Sequence, residues 1–220
     1  MFDVLVAIRV WRIRPASRND RTNQRWLHSR RRGRFSHSWN GTRNRPVIPA
    51  WYMKFTLGHR GSLDRVGGLP THLPPAFPRS ADGERPLMFI GQFHCHPDRL
   101  VLGDTFLLQV YQDVPHGLPD PVVIRVPRDA PRNTQQLGTP APGVLPHDIE
   151  WEYREDPDES DEHNLELAAS KLWGRCYFGD LAPGERLLLF LDEQPAGFNF
   201  GGDELMLAIT EVNEIVWVGA

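Results

Sequence analysis

Leu87-Met88-Phe89-Ile90-Gly91-Gln92-Phe93-His94 is the stretch on which the fold turns. Leu87, Phe89, Gly91 and Phe93 alternate with Met88, Ile90, Gln92 and His94, the two-residue period of a strand whose side chains leave by opposite faces. Downstream, Phe106, Leu108 and Val110 alternate with Leu107, Gln109 and Tyr111 in the same way. Residues 122–126, 187–191, 205–210 and 215–218 add four more runs rich in β-branched or large apolar side chains. Leu187-Leu188-Leu189-Phe190-Leu191 is apolar at every position and suits a strand covered on both faces. A sheet is therefore the main element.

The segments between these runs are rich in proline. Of the 20 prolines, 17 fall in residues 51–220, clustered at 70–78, 115–131 and 140–146. Proline interrupts helices and central strands, so these clusters read as long loops. One helix is expected after them: Ser160 or Asp161 can cap its first turn, Leu165, Ala168, Ala169 and Leu172 share a face, and Gly174 is placed to end it. Eight acids between Glu150 and Glu162 precede it and read as a solvated loop near the helix N-terminus, or as a negative patch for a basic partner.

Charge divides the chain. Residues 1–50 hold 12 Arg, no Lys and two acids, whereas residues 51–220 hold 13 basic and 26 acidic side chains, a net of −13. The arginines mix with Trp11, Trp26 and Trp39 without helical or alternating periodicity, so this segment cannot bury a face. Residues 1–52 read as a basic extension, disordered or non-native, with translation starting at Met1 or at Met53; residues 53–220 read as a single domain. A genuine arm of this composition would grip nucleic acid by phosphate neutralisation and base stacking. No apolar run approaches the roughly 20 residues that span a bilayer, and Cys95 and Cys176 are too few for a disulfide scaffold.

Two blocks resemble a known family. Gly67-Gly68-Leu69-Pro70, Leu73-Pro74-Pro75-Ala76-Phe77-Pro78, Gly83 and Pro86 through Phe93 form the first. Lys171-Leu172-Trp173-Gly174, Leu187 through Asp192, Phe200-Gly201-Gly202-Asp203 and Leu205 through Ile209 form the second. Together, over roughly residues 63–212, they resemble the YwqG-like family of uncharacterised bacterial proteins. The chain departs from the family at Phe200, where members often carry Trp, and at Glu204-Leu205 after the Gly-Asp turn. The resemblance implies an α+β fold, mostly antiparallel sheet with one or two helices, and a cytoplasmic location. It brings no catalytic residues, and it suggests an immunity or regulatory role toward a partner protein such as a basic toxin domain.

His94-Cys95-His96-Pro97-Asp98 is the most chemical-looking stretch. If the strand continues through it, His94 and His96 project from one face and offer two imidazoles to zinc or another divalent metal. His59, His72, His116, His147 or Cys176 would have to supply a third ligand. Cys95 points the opposite way from its neighbours and is badly placed to be activated by them. No G-x-S-x-G elbow, phosphate loop or dinucleotide fingerprint is present. Gln92 lies among apolar residues, where it would line a polar pocket or tie down the proline loop. Asp203 and Asp192 can bind a cation or cap turns. The expectation drawn from these features is a non-enzymatic protein-binding domain. Its alternatives are a metal site at His94 and His96 and a nucleic-acid-binding arm.

Overall fold

In the computed structural model, the described residues are 47–58, 61–80, 82–113, 121–157, 169–175, 186–192, 197, 205–210 and 215–219. The compact unit that holds them runs from Arg43 to Ala220. Their regular structure is entirely β: β1 (Val47–Leu57), β2 (Arg65–Val66), β3 (Met88–His94), β4 (Thr105–Gln112), β5 (Val122–Pro127), β6 (Thr139–Pro140), β7 (His147–Pro157), β8 (Lys171–Trp173), β9 (Leu187–Asp192), β10 (Leu205–Thr210) and β11 (Ile215–Gly219). They form one curled, half-barrel sheet in the order β11-β10-β9-β8-β1-β7-β2-β3-β4-β5, with β6 beside β3. All pairings are antiparallel except β3 with β6.

The α+β expectation is corrected: among the described residues there is no helix. The body of the expected helix, residues 158–168, lies outside the described residues, but its expected last turn is strand β8. The reason is a period of two. Leu172 faces the core opposite Trp51 and Leu189, while Lys171 leaves by the other face opposite Tyr52 and Phe190. The acidic run is corrected as well. Glu150, Glu152, Glu155 and Asp156 belong to β7, paired along its whole length with β1. β1 itself begins before Met53, so Ala50 and Tyr52 are buried members of the same strand as Phe55.

The inner face of the curl carries the core. Met53, Ile149, Leu172, Leu189 and Ile209 continue across β1, β7, β8, β9 and β10 into Val66, Phe93, Leu108 and Val110. Fully burying one such side chain is worth about 1.5–3 kcal/mol, so this face holds the sheet together. β3 does not keep the simple alternation of its sequence. A bulge between Phe89 and Gly91 inserts Ile90, which joins the inner core, while Phe89 turns to the outer face with Leu87, Tyr111 and Phe77. A single extra residue switches faces in this way because the side-chain period of a strand is two.

Part of the outer face is buried too, and there largely by polar side chains. The register sets Asp148, Arg65, Gln92 and Gln109 side by side across β7, β2, β3 and β4. All four are under 9% exposed. A second polar knot lies where β7, β1 and β8 meet. Lys171 and Asp156, both with 0% exposed side chains, form an ion pair of 2.7 Å. Tyr52 donates its hydroxyl to Asp156 Oδ1 at 2.6 Å, and the Arg175 amide donates to Oδ2 at 2.8 Å. Gly174 closes this knot because its φ is +79° and a Cβ there would lie 2.5 Å from the Asp156 carboxylate.

Candidate functional site

Gln92 sits at the middle of the outer polar row, where its amide is saturated. Nε2 donates to the Leu63 carbonyl at 2.8 Å and to Thr71 Oγ1 at 2.6 Å, and Oε1 accepts from the Thr71 amide at 2.9 Å. These bonds clamp the chain before and after β2 onto the sheet. Gln109 does the same one strand over, donating to the His72 carbonyl at 2.9 Å while accepting from the Tyr111 hydroxyl at 2.8 Å.

The segment so clamped meets a second loop, residues 131–137. The Asn133 amide donates to the Thr71 carbonyl at 2.8 Å and the Leu73 amide to the Pro131 carbonyl at 2.9 Å. The Asn133 side chain reaches across to the Pro70 carbonyl at 3.0 Å and clasps both backbone groups of Leu137, each at 2.8 Å. That clasp holds Gln136 at a φ of 54°, which costs a non-glycine residue about 1–2 kcal/mol. Gly67 is needed at the back of the junction, since a Cβ there would lie 2.7 Å from the Leu145 carbonyl oxygen.

Along this junction runs a groove of about 580 Å³. Gly61, Leu63, Gly68, Leu69, Pro70 and Pro146 give it apolar and bare-backbone walls, and Thr71, Asn133, Thr134 and Gln136 give it neutral polar ones. Among the described residues its charged or titratable lining is Arg65, His72 and Arg132, with no Asp or Glu. Arg65 is buried at its floor, where Nε and Nη2 donate to the Ser62 carbonyl. Burial lowers the Arg65 pKa, opposed by the charge of Asp148. His72 is also buried, its Nδ1 2.9 Å from Thr71 Oγ1. Burial and then the Arg132 charge lower its pKa below the free imidazole value. Leu57, Leu137 and Leu145, each more than 40% exposed, lie on segments bordering the groove.

His94 and His96 fall outside the groove. Their rings do lie together, 5.9 Å between centroids, and His94 packs edge-on against Phe106 at 5.1 Å. Phe106 also meets His72 edge-on at 5.3 Å. His96 Nδ1 lies 3.4 Å from Asp98 Oδ2, while Asp64 accepts the His94 amide at 2.7 Å and pairs with Arg99. Among the described residues no three of His, Cys, Asp and Glu are grouped to hold a metal ion. Burial lowers the His94 pKa, with Asp64 pulling the other way, and raises that of the Asp64 carboxyl against the pull of Arg99. Cys95 points into the core, where burial pushes its thiol up to about 11. Asp203, His59, His116, Cys176 and the basic segment 1–46 lie outside the described residues.

Arg65, Thr71, Arg132 and Asn133 carry the groove and were not signalled in the sequence. Each is an ordinary polar residue in a loop or a two-residue strand, and only the register of β2 against β3 and β7 gathers them. Compared with known proteins, the chain matches no family model and no curated sequence. The resemblance to the YwqG-like family rests on its motifs alone.

Proposed function

We propose that this chain is a non-enzymatic protein-binding domain that receives an extended segment of a partner in the groove between residues 61–72 and 132–136. The observation that carries this reading is a preformed open groove built on clamped backbone, flanked by exposed leucines. Its walls are held by hydrogen bonds to a buried sheet, so little ordering cost falls on the domain when a ligand enters. A shallow, glycine-lined surface admits a peptide main chain, and Leu57, Leu137 and Leu145 offer contacts for alternate side chains.

The net of −13 over residues 51–220 speeds encounter with a basic partner, through long-range attraction that salt screens. An immunity or regulatory role toward a basic toxin domain is the biological form of this reading, and the family resemblance supports a cytoplasmic setting. Among the described residues no helix is long and apolar enough to cross a membrane.

Selection of displayed random peptides against the full chain tests the proposal, with Thr134→Trp as a groove-filling control at an exposed position. Selected peptides are expected to bind the full chain and to lose binding to Thr134→Trp. Peptides that bind both equally, or a selection that yields no binder, would overturn it.

A further inference from the structure

The lining of the groove opposes the charge of the domain. Residues 51–220 contain twice as many acids as bases, 26 against 13, yet the described residues that line the groove bring two guanidinium groups and an imidazole and no carboxylate. The two arginines differ in availability. Arg65 is buried, spends two nitrogens on the Ser62 carbonyl and feels the charge of Asp148. Arg132 is exposed on the wall, and its side chain makes no hydrogen bond or ion pair with any other residue described. Its backbone is held in bridge pairing with His72, so the group is presented from a fixed base. A guanidinium is a planar fork whose geometry matches a carboxylate with two parallel hydrogen bonds.

We propose that the groove recognises an acidic side chain, Asp or Glu, within the bound segment, and that Arg132 is the residue that reads it. This inference rests on the groove being a peptide site. It adds a specificity that net charge opposes. A basic partner is attracted to the acidic domain as a whole, while one acidic residue of its docking segment seats on Arg132. Long-range steering and local readout thereby use opposite signs, which excludes both wholly acidic chains, repelled at distance, and segments with no acid to pair.

A positional-scanning library of short peptides, acetylated and amidated at their ends and set against the full chain, tests this. The expected result is enrichment of Asp or Glu over Asn or Gln at one position. That preference should fall about tenfold in Arg132→Gln, the loss of one charge-assisted pair. Arg132→Lys should keep part of it. Because Arg132 is exposed and pairs with no other described residue, the variant's unfolding curve should match that of the parent. Binders with no acidic preference, or the same preference in Arg132→Gln, would overturn the inference and leave the groove reading standing. Binding that appears only in a parallel library left unamidated would assign Arg132 to a terminal carboxylate and overturn the side-chain reading. No binders at all would sink the groove reading and this inference with it.

Discussion

Gln92 shows how one buried amide governs a loop. Replacing it with Leu keeps the volume but leaves the Thr71 amide, the Thr71 hydroxyl and the Leu63 carbonyl without their partner. Gln92→Leu should destabilise the domain by about 3 kcal/mol in chemical denaturation, with faster amide exchange at Thr71. A loss below about 0.5 kcal/mol would mean the loop stands without the clamp. The buried imidazole of His72 and the half-buried one of His94 set a pH dependence whose sign can be worked out. His72 and His94 have folded pKa values below the free value near 6.5, so the unfolded chain binds protons first as pH drops. Stability should therefore fall as pH goes below about 6.5, and His72→Gln or His94→Gln should flatten the drop. Asp64 acts with the opposite sign, between 3.8 and its raised folded value. Denaturation midpoints at about pH 7 and about pH 5 give the comparison. Equal slopes in parent and variants would remove the imidazoles from the account.

At the level of elements, the strands that alternate or run apolar were legible, and those that carry charge were not. The runs at 87–94, 106–111, 122–126 and 187–191 correspond to β3, β4, β5 and β9 within a residue or two. β7 was hidden because Glu150, Glu152, Asp156 and Arg154 share its outer face, a polar composition that looks like a loop until β1 is seen beside it. Lys54 from β1 and Arg154, two residues along β7, hydrogen-bond to Glu152 and hold its carboxyl down to about 2, so that charge is answered both across and along the ladder. β8 was hidden because three residues carry too little periodicity to outvote a helix pattern on their N-terminal side. What fixes β8 is Lys171, whose ammonium has its counterion on β7. Lys171→Met should cost about 3–5 kcal/mol by stranding a buried carboxylate, and adding Asp156→Leu should recover much of that. Equal loss in the single and double variants would show that the pair is not the cause.

For the molecule as a whole, a support of the candidate site was readable and the groove itself was not. Gln92 stood out as a polar residue in an apolar strand, and the Gly-Gly-Leu-Pro turn at 67–70 marked the loop it clamps. The histidine pair at 94 and 96 drew attention by chemistry, yet among the described residues the fold groups no three of His, Cys, Asp and Glu to hold a metal ion. The groove stayed invisible because its residues come from three separated segments, and nothing local in Arg132 or Asn133 says that Thr71 lies across from them. The bulge at Ile90 was likewise unreadable, since alternation looks the same on paper whether or not a strand changes faces.

The central claim is that this groove is where a partner docks, and amide hydrogen exchange of the full chain, with and without a selected acidic peptide, tests it most directly. Slowed exchange confined to residues 61–72 and 131–137, reached in Arg132→Gln only at about tenfold more peptide, is the predicted result. Protection along β7, or no change in either loop at saturating peptide, would contradict it.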